Sequence, residues 1–211
     1  MLLKLEKLIA KYGMKITGVI QAGAHYGEEI DLFVSLGITK MVLFEPERKN
    51  FSMLRGKVNG NKYISKDSIA LQTALGDGDG PAYMNVEEFN NGQSNSILLP
   101  KLHLKYYPDI HFKSERDAIC LTRLDTFEYR TSDCNFLVMD VQGYELEVLK
   151  GATETLKHID YIYTEVNREE LYQDCAMIED LDNYLTDFKR VQTVWKRKGF
   201  GDALYLRKTL L

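Results

Sequence analysis

The stretch VIQAGAHYGEEI, residues 19–30, decides how the rest of the chain is read. Val19, Ile20 and Ala22 make a short apolar run of strand type, Gly23 and Gly27 flank Ala24-His25-Tyr26, and Glu28, Glu29 and Asp31 open a helical period. Small residues after a strand let a ligand approach the backbone. The free N–H groups of the helix that follows suit an anion, such as a pyrophosphate or an amino-acid carboxylate. The three-glycine dinucleotide fingerprint is absent, since its positions fall on Ala22, Ala24 and Gly27. Taken alone, the stretch fits a tight strand-to-helix turn equally well.

The same alternation runs outward from it. Strands are predicted over Ile16–Ala22, Met41–Phe44, Ile69–Leu75, Asn135–Asp140 and Tyr161–Val166, with helices over 28–36, 47–57, 144–156 and 177–185. Short β-branched runs separated by helical periods predict an α/β fold with a largely parallel sheet. Shorter strands are expected near Tyr83–Val86 and Ile119–Leu121. Arg190–Trp195 and Ala203–Arg207, split by the turn KGFGD, predict a C-terminal antiparallel hairpin. Leu2, Leu5, Leu8 and Ile9 share one face of an N-terminal helix within residues 1–15. Residues 89–118 are polar, aromatic and long for a connection, which suits a lid or an acceptor-binding insertion; an ordinary loop with a short helix near Leu98–Tyr107 also fits.

The totals exclude some classes. The chain has 211 residues, 45% hydrophobic and 27% charged, with a net charge of −4. That length suits one domain, and the charge argues against a protein held to nucleic acid through a basic face. A local basic rim remains at Lys196–Lys198, where a solvated turn is the plainer reading. No run approaches the ~18 apolar residues of a membrane span, and the N-terminus lacks the features of a signal peptide. Cys120, Cys134 and Cys175 are odd in number and lack metal-ligand spacing, as expected of reduced thiols in a cytoplasmic protein. No feature specifies an oligomeric state.

Two acids at strand ends give the glycine turn a chemical context. Glu45 ends the second strand about 20 residues past Gly23, where an acid takes both hydroxyls of a ribose. It could equally cap the helix that begins at Pro46. Asp140 ends the strand of FLVMDVQGYELEVLKGA (136–152), at the sheet edge where ligands of open α/β folds bind, and could orient a substrate or accept a proton. Helix capping is its alternative role.

This last run, with Asp140-Val141-Gln142-Gly143-Tyr144-Glu145 before Val148-Leu149-Lys150-Gly151-Ala152, resembles the FkbM-type S-adenosylmethionine-dependent methyltransferases. VIQAGAHYGEE, FEPERKNF (44–51), ALGD (74–77), SNSILLP (94–100), TRLDTF (122–127), YTEVNREELY (163–172) and GFGDALYLR (199–207) extend the likeness over roughly residues 16–208. The resemblance implies a Rossmann-like class I methyltransferase fold: a mostly parallel seven-stranded sheet with a C-terminal antiparallel hairpin and helices on both faces, in a single domain over residues 1–211. It implies S-adenosylmethionine as cofactor and O-methylation of a small-molecule or glycan hydroxyl. It places Gln21, Gly23, Ala24, His25 and Gly27 around the methionine part, Glu45 on the ribose, Ala74 and Leu75 near the adenine, and Ser94 with Ser96 over the site.

Asp140 is then the first catalytic candidate and His25 the second. Gln142, Glu165, Asn167 and Tyr106 are candidates for the acceptor pocket, with Tyr107, His103 and His111 as packing or wall residues of the same segment. Asp140 and Glu165 lack a recognisable third ligand, so the expected enzyme is metal-independent. Gln21 and Gln142 stand where the family usually carries acids. These amides keep open a noncatalytic cofactor-binding module, beside an NAD-binding reductase as the other alternative.

Overall fold

The computed structural model describes residues 2–211 apart from Asn90, Arg197 and Lys198, so two members of the basic turn at 196–198 lie outside the described residues. In chain order the elements are α1 (Leu5–Tyr12), β1 (Val19–Ala22), α2 (Ile30–Ser35), β2 (Met41–Phe44), α3 (Arg48–Gly60), β3 (Ile69–Leu71), β4 (Ala74–Leu75), β5 (Gly80–Met84), α4 (Leu102–Tyr106), β6 (Asp117–Thr122), α5 (Glu128–Thr131), β7 (Phe136–Met139), α6 (Glu145–Lys150), β8 (Tyr161–Asn167), α7 (Ile178–Tyr184), β9 (Phe188–Trp195) and β10 (Phe200–Arg207).

Seven strands form one sheet in the order β3-β2-β1-β7-β8-β10-β9. The first five run parallel, and β10 pairs antiparallel with both β8 and β9, which makes the predicted hairpin. Strands β1, β2 and β7 are buried on both faces, which is why their sequences read as continuous apolar runs. One face packs Val19, Leu43, Phe136 and Leu204 against α1, α2 and α3 through Leu5, Leu8, Phe33 and Leu54. The other packs Ile20, Val42, Leu137 and Ala203 against α6 and α7 through Val148, Leu149, Ile178 and Leu181. The chain leaves β1 outward to β2 and β3, then returns to β7 on its other side. That reversal puts a crevice at the carboxyl ends of β1 and β7.

Two predicted elements are corrected. The strand expected over Ile69–Leu75 breaks at Gln72-Thr73, and its second half, β4, joins a small sheet of order β4-β6-β5. The buried Thr73 hydroxyl donates to the Cys120 carbonyl of β6 (3.0 Å), drawing the chain out of the main sheet. The helix expected over 144–156 stops at Lys150, because Gly151 packs so closely on the Gly76 carbonyl that a Cβ would lie 1.9 Å from that oxygen. A short 3₁₀ turn over Thr155–Lys157 follows, its N–H groups at Glu154 and Thr155 held by Asp125. The segment 89–118 contributes α4 and bridges to the rest of the molecule at Asn85–Ser96, Glu87–Phe112 and Pro100–Tyr172.

Candidate active site

A cavity of about 480 Å³ opens at the carboxyl edge of the parallel strands, within the ~300–1,000 Å³ usual for small-molecule sites. Gln21, Gly23, His25, Glu45, Ala74, Leu75, Ser94, Asp140, Gln142 and Glu165 line it, so most of the residues singled out in the sequence converge. Residues 92–97, His103, Tyr107 and Ile110 close it from the 89–118 segment.

The turn after β1 is built by its neighbours. The N–H groups of Gly23 and Ala24 both donate to the Phe44 carbonyl at the end of β2 (3.0 and 2.9 Å). Gly23 has φ 74°, and a Cβ there would lie 2.0 Å from the Asp140 carbonyl oxygen. Its smallness is therefore demanded by the adjoining strand end, whatever the ligand. His25 also has positive φ (50°), and its N–H donates to Glu45 Oε2 (2.9 Å). Its ring is spoken for as well: Nδ1 faces Glu28 Oε1 at 2.7 Å, and Nε2 faces the Asn91 carbonyl at 2.6 Å. Burial would lower the His25 pKa, but the bonds to Glu28 and Asn91 outweigh it and raise the value. A ring that donates from both nitrogens is a clamp between the glycine turn and residue 91, and a poor proton acceptor.

Glu45 follows β2, and its second oxygen accepts the Glu47 N–H (2.9 Å). The N-cap of α3 is Glu47, which accepts from the Asn50 N–H (2.7 Å), so Glu45 is not needed as that cap. Burial pushes the Glu45 carboxyl up to about 7 against the pull of these N–H groups. Gln21 is 4% exposed; its Nε2 donates to Glu29 (3.2 Å), while its Oε1 has no partner among the described residues.

Asp140 is exposed to the cavity that it lines. Desolvation by the protein packed around the cavity raises its pKa; the hydrogen bond from Gln142 Nε2 (2.6 Å) opposes this, and Asp202 and Glu29 add repulsion. Glu165 stands opposite Asp202 across the β8–β10 pair. Burial, then repulsion from Asp140, Glu145 and Asp202, carries the Glu165 carboxyl well above the usual range, with Lys196 opposing. Directly opposed like charges are unfavourable, which adds to the upward pull on the Glu165 carboxyl.

Four of the predicted residues do not line the cavity. Ala24 is fully buried behind the turn, and Gly27 (φ 77°) packs on Ile30 and Leu54. Asn167 is 1% exposed at the end of β8, with neither amide atom partnered among the described residues. The Tyr106 hydroxyl donates to Glu169, and Tyr107 takes the place at the cavity. The sequence reading passes over Glu145, whose Oε1 accepts the N–H groups of Val141 (3.0 Å) and Gly143 (3.3 Å) and so fixes the turn after β7. It also passes over Tyr172 and Asp202, although both lie inside motifs quoted above. A tyrosine in a helix-free polar run is the available signal for the first.

A strand order that reverses at β1, an acid after β2 and an acid after β7 around one cavity define a Rossmann-like nucleotide-cofactor architecture of the methyltransferase type. The chain belongs to the FkbM methyltransferase family: the methyltransferase FkbM domain matches residues 21–200. It is 28% identical over 203 residues to the 2-O-methyltransferase NoeI of Sinorhizobium fredii (strain NBRC 101917 / NGR234), covering 92% of this chain and 80% of that protein. Among solved structures it is similar to magnesium protoporphyrin IX methyltransferase (ChlM) from Synechocystis PCC 6803 with bound SAM, with a TM-score of 0.54 and 11% identity over 97% of this chain and 76% of that one. It is also similar to an S-adenosylmethionine-dependent methyltransferase from Clostridium acetobutylicum ATCC 824, with a TM-score of 0.53 and 7% identity over 96% and 89%. At these identities the structural likenesses establish the fold. Among the described residues, no group of three or more His, Cys, Asp or Glu is arranged to hold a metal ion, and no helix is long and apolar enough to cross a membrane.

Proposed function

We propose that the chain is an S-adenosylmethionine-dependent O-methyltransferase whose acceptor is a hydroxyl of a small molecule or glycan. The observation that carries this reading is the opening of Glu45 and Asp140 onto one cavity at the topological switch, within a chain of the FkbM family. The residues suit the cofactor. Each Glu45 oxygen accepts one backbone N–H and keeps a lone pair for a ribose hydroxyl. The orphan Gln21 Oε1 suits the donor of an α-ammonium group. Ala74 and Leu75 offer an apolar wall for adenine, and Gly23 and His25 supply the backbone beside the methionine part.

S-adenosylmethionine would supply a methyl group on a sulfonium. Asp140 orients the acceptor hydroxyl and takes its proton as the O–CH₃ bond forms and the S–CH₃ bond breaks. Holding the partners in line is worth up to ~7–11 kcal/mol of barrier, and a positioned base adds ~10²–10⁴-fold. Gln142, Glu165 and the wall of the 89–118 segment form the acceptor side. Its carboxyls favour neutral polyhydroxy acceptors over anionic ones. The enzyme is expected to work without a metal and to keep its turnover in excess chelator. The three free cysteines support a cytoplasmic setting.

Calorimetry with S-adenosylhomocysteine and NAD, followed by transfer of labelled methyl groups to a panel of oligosaccharides and hydroxylated small molecules, tests the proposal. Binding of NAD alone would replace it with the reductase reading. Tight S-adenosylhomocysteine binding with no transfer to any of the panel would favour a noncatalytic module.

A further inference from the structure

Gln142 occupies an unusual position. It has φ 55° and is followed by Gly143 at φ 97°, in the turn that carries Asp140 into the cavity. Three hydrogen bonds hold it. The Ser96 hydroxyl donates to its backbone carbonyl (2.8 Å), its Nε2 donates to Asp140 Oδ1 (2.6 Å), and its Oε1 accepts from the Tyr172 hydroxyl (2.9 Å). Tyr172 is 1% exposed and held by the bridge to Pro100, with the Ser94 carbonyl 3.1 Å from its hydroxyl.

An amide has one donor end and one acceptor end. Asp140 demands the donor, so the acceptor end must face Tyr172, and the tyrosine hydroxyl satisfies it. Remove that hydroxyl and the half-buried Oε1 loses its donor, which favours rotation of the amide away from Asp140.

We propose that Tyr172 is a positioning residue. Through Gln142 it commits Oδ1 of Asp140 to a fixed hydrogen bond and leaves Oδ2 as the oxygen that meets the acceptor hydroxyl. The inference rests on the reading of Asp140 as the group that handles the acceptor proton. Tyr172 and Gln142 touch neither cofactor nor acceptor proton in this role; they act through Asp140.

The test is a carbon-13 NMR titration of the Asp140 carboxyl in the ligand-free full chain, with the resonance assigned by Asp140→Asn. Glu29 before α2, Glu145 on α6, Glu165 on β8 and Asp202 on β10 are the acids whose charge bears on Asp140, with Lys196 acting on Glu165. Their carboxyls are followed in the same spectra. Gln142→Leu, which removes a hydrogen bond to an ionised carboxylate, is expected to raise the Asp140 midpoint by about 1–2 pH units, and Tyr172→Phe by about half as much. Asp140 must move more than its acidic neighbours, with S-adenosylhomocysteine affinity changed by less than about twofold. An unchanged Asp140 midpoint in either variant overturns the relay, and so does an equal shift of all the acids. Should Tyr172→Phe fail to fold, Gln142→Leu decides alone. Failure of the underlying catalytic reading shows in a different place: Asp140→Asn would then retain its methyl-transfer rate, whatever the midpoints do.

Discussion

The turns after β1 and after β7 are built alike and used differently. Each passes through a non-glycine residue of positive φ, His25 in one and Gln142 in the other, and each is held by a buried glutamate accepting backbone N–H groups. In the first turn the glutamate is Glu45, which arrives from the neighbouring strand and faces the cavity. In the second it is Glu145, which reaches back from α6 and is absent from the cavity wall. In the proposed function the brace of the first turn doubles as a ligand-binding group, whereas the brace of the second only holds the turn and leaves the turn's own acid, Asp140, facing the cavity.

The largest effect should come from the free acid. Asp140→Asn keeps the shape and the Gln142 contact in reach but removes the base. Turnover is expected to fall by about 10²–10⁴-fold, with S-adenosylhomocysteine affinity within a few-fold of the parent. Single-turnover kinetics and calorimetry on the same preparation separate the two quantities. Equal losses in both would make the second turn a cofactor-binding element like the first, and the contrast would collapse.

Exchanging the braces comes next. Glu45→Gln should weaken S-adenosylhomocysteine binding about tenfold, because an amide presents one acceptor oxygen where the carboxylate presents two. Glu145→Gln should leave the affinity nearly unchanged and instead lower the melting temperature, since the turn over Val141–Gly143 loses part of its anchor. Thermal melts with and without ligand read both. A large affinity loss in Glu145→Gln would show that the two glutamates do the same work.

These distinctions explain which parts of the site are legible in the sequence. The strands are readable because β1, β2 and β7 are buried on both faces and have no polar alternation to confuse them. Glu45 and Asp140 are readable because strand ends at a switch point have a fixed location. Gly23 stands out in the sequence for a correct reason and an incomplete one: it is small because the Asp140 carbonyl lies against it. His25 is a plausible base by residue type alone, and only the positions of Glu28 and Asn91 reveal a ring with both nitrogens committed. Tyr172 and Asn91 act from distant segments, and no local pattern announces a contact between residues 142 and 172. The split of β3 from β4 is hidden because the Thr73 hydroxyl that causes it bonds to residue 120.

A smaller effect appears in the pH dependence of stability. Burial places the Glu45 pKa at about 7, above the 4.5 of an ordinary glutamate. Between those values the folded state keeps a proton that the unfolded chain releases, so this group's contribution falls as pH rises from about 4.5 to 7 and is flat above. His25, also raised, stabilises most below the 6.5 of an ordinary histidine and loses that contribution as pH climbs through the folded value. Melting temperatures from pH 4.5 to 7 should therefore decline on this account, and Glu45→Gln should flatten the decline. A slope that Glu45→Gln leaves intact would remove the buried proton from the first turn.

The smallest effect tests the amide at the start of the first turn. Gln21 stands where the family usually carries an acid, yet the negative charge has not left the neighbourhood: Glu29 accepts from Gln21 Nε2 and lines the same cavity. An acid at 21 would face that carboxylate, so Gln21→Asp alone should bind S-adenosylhomocysteine no better than the parent, within about threefold, and melt slightly lower. Gln21→Asp combined with Glu29→Gln moves the charge onto the strand and keeps a donor opposite it, and should recover the parent affinity and melting temperature. Calorimetry on the two variants decides the matter. If Gln21→Asp alone tightens binding tenfold, the strand position itself needs the charge, and Glu29 does not stand in for it.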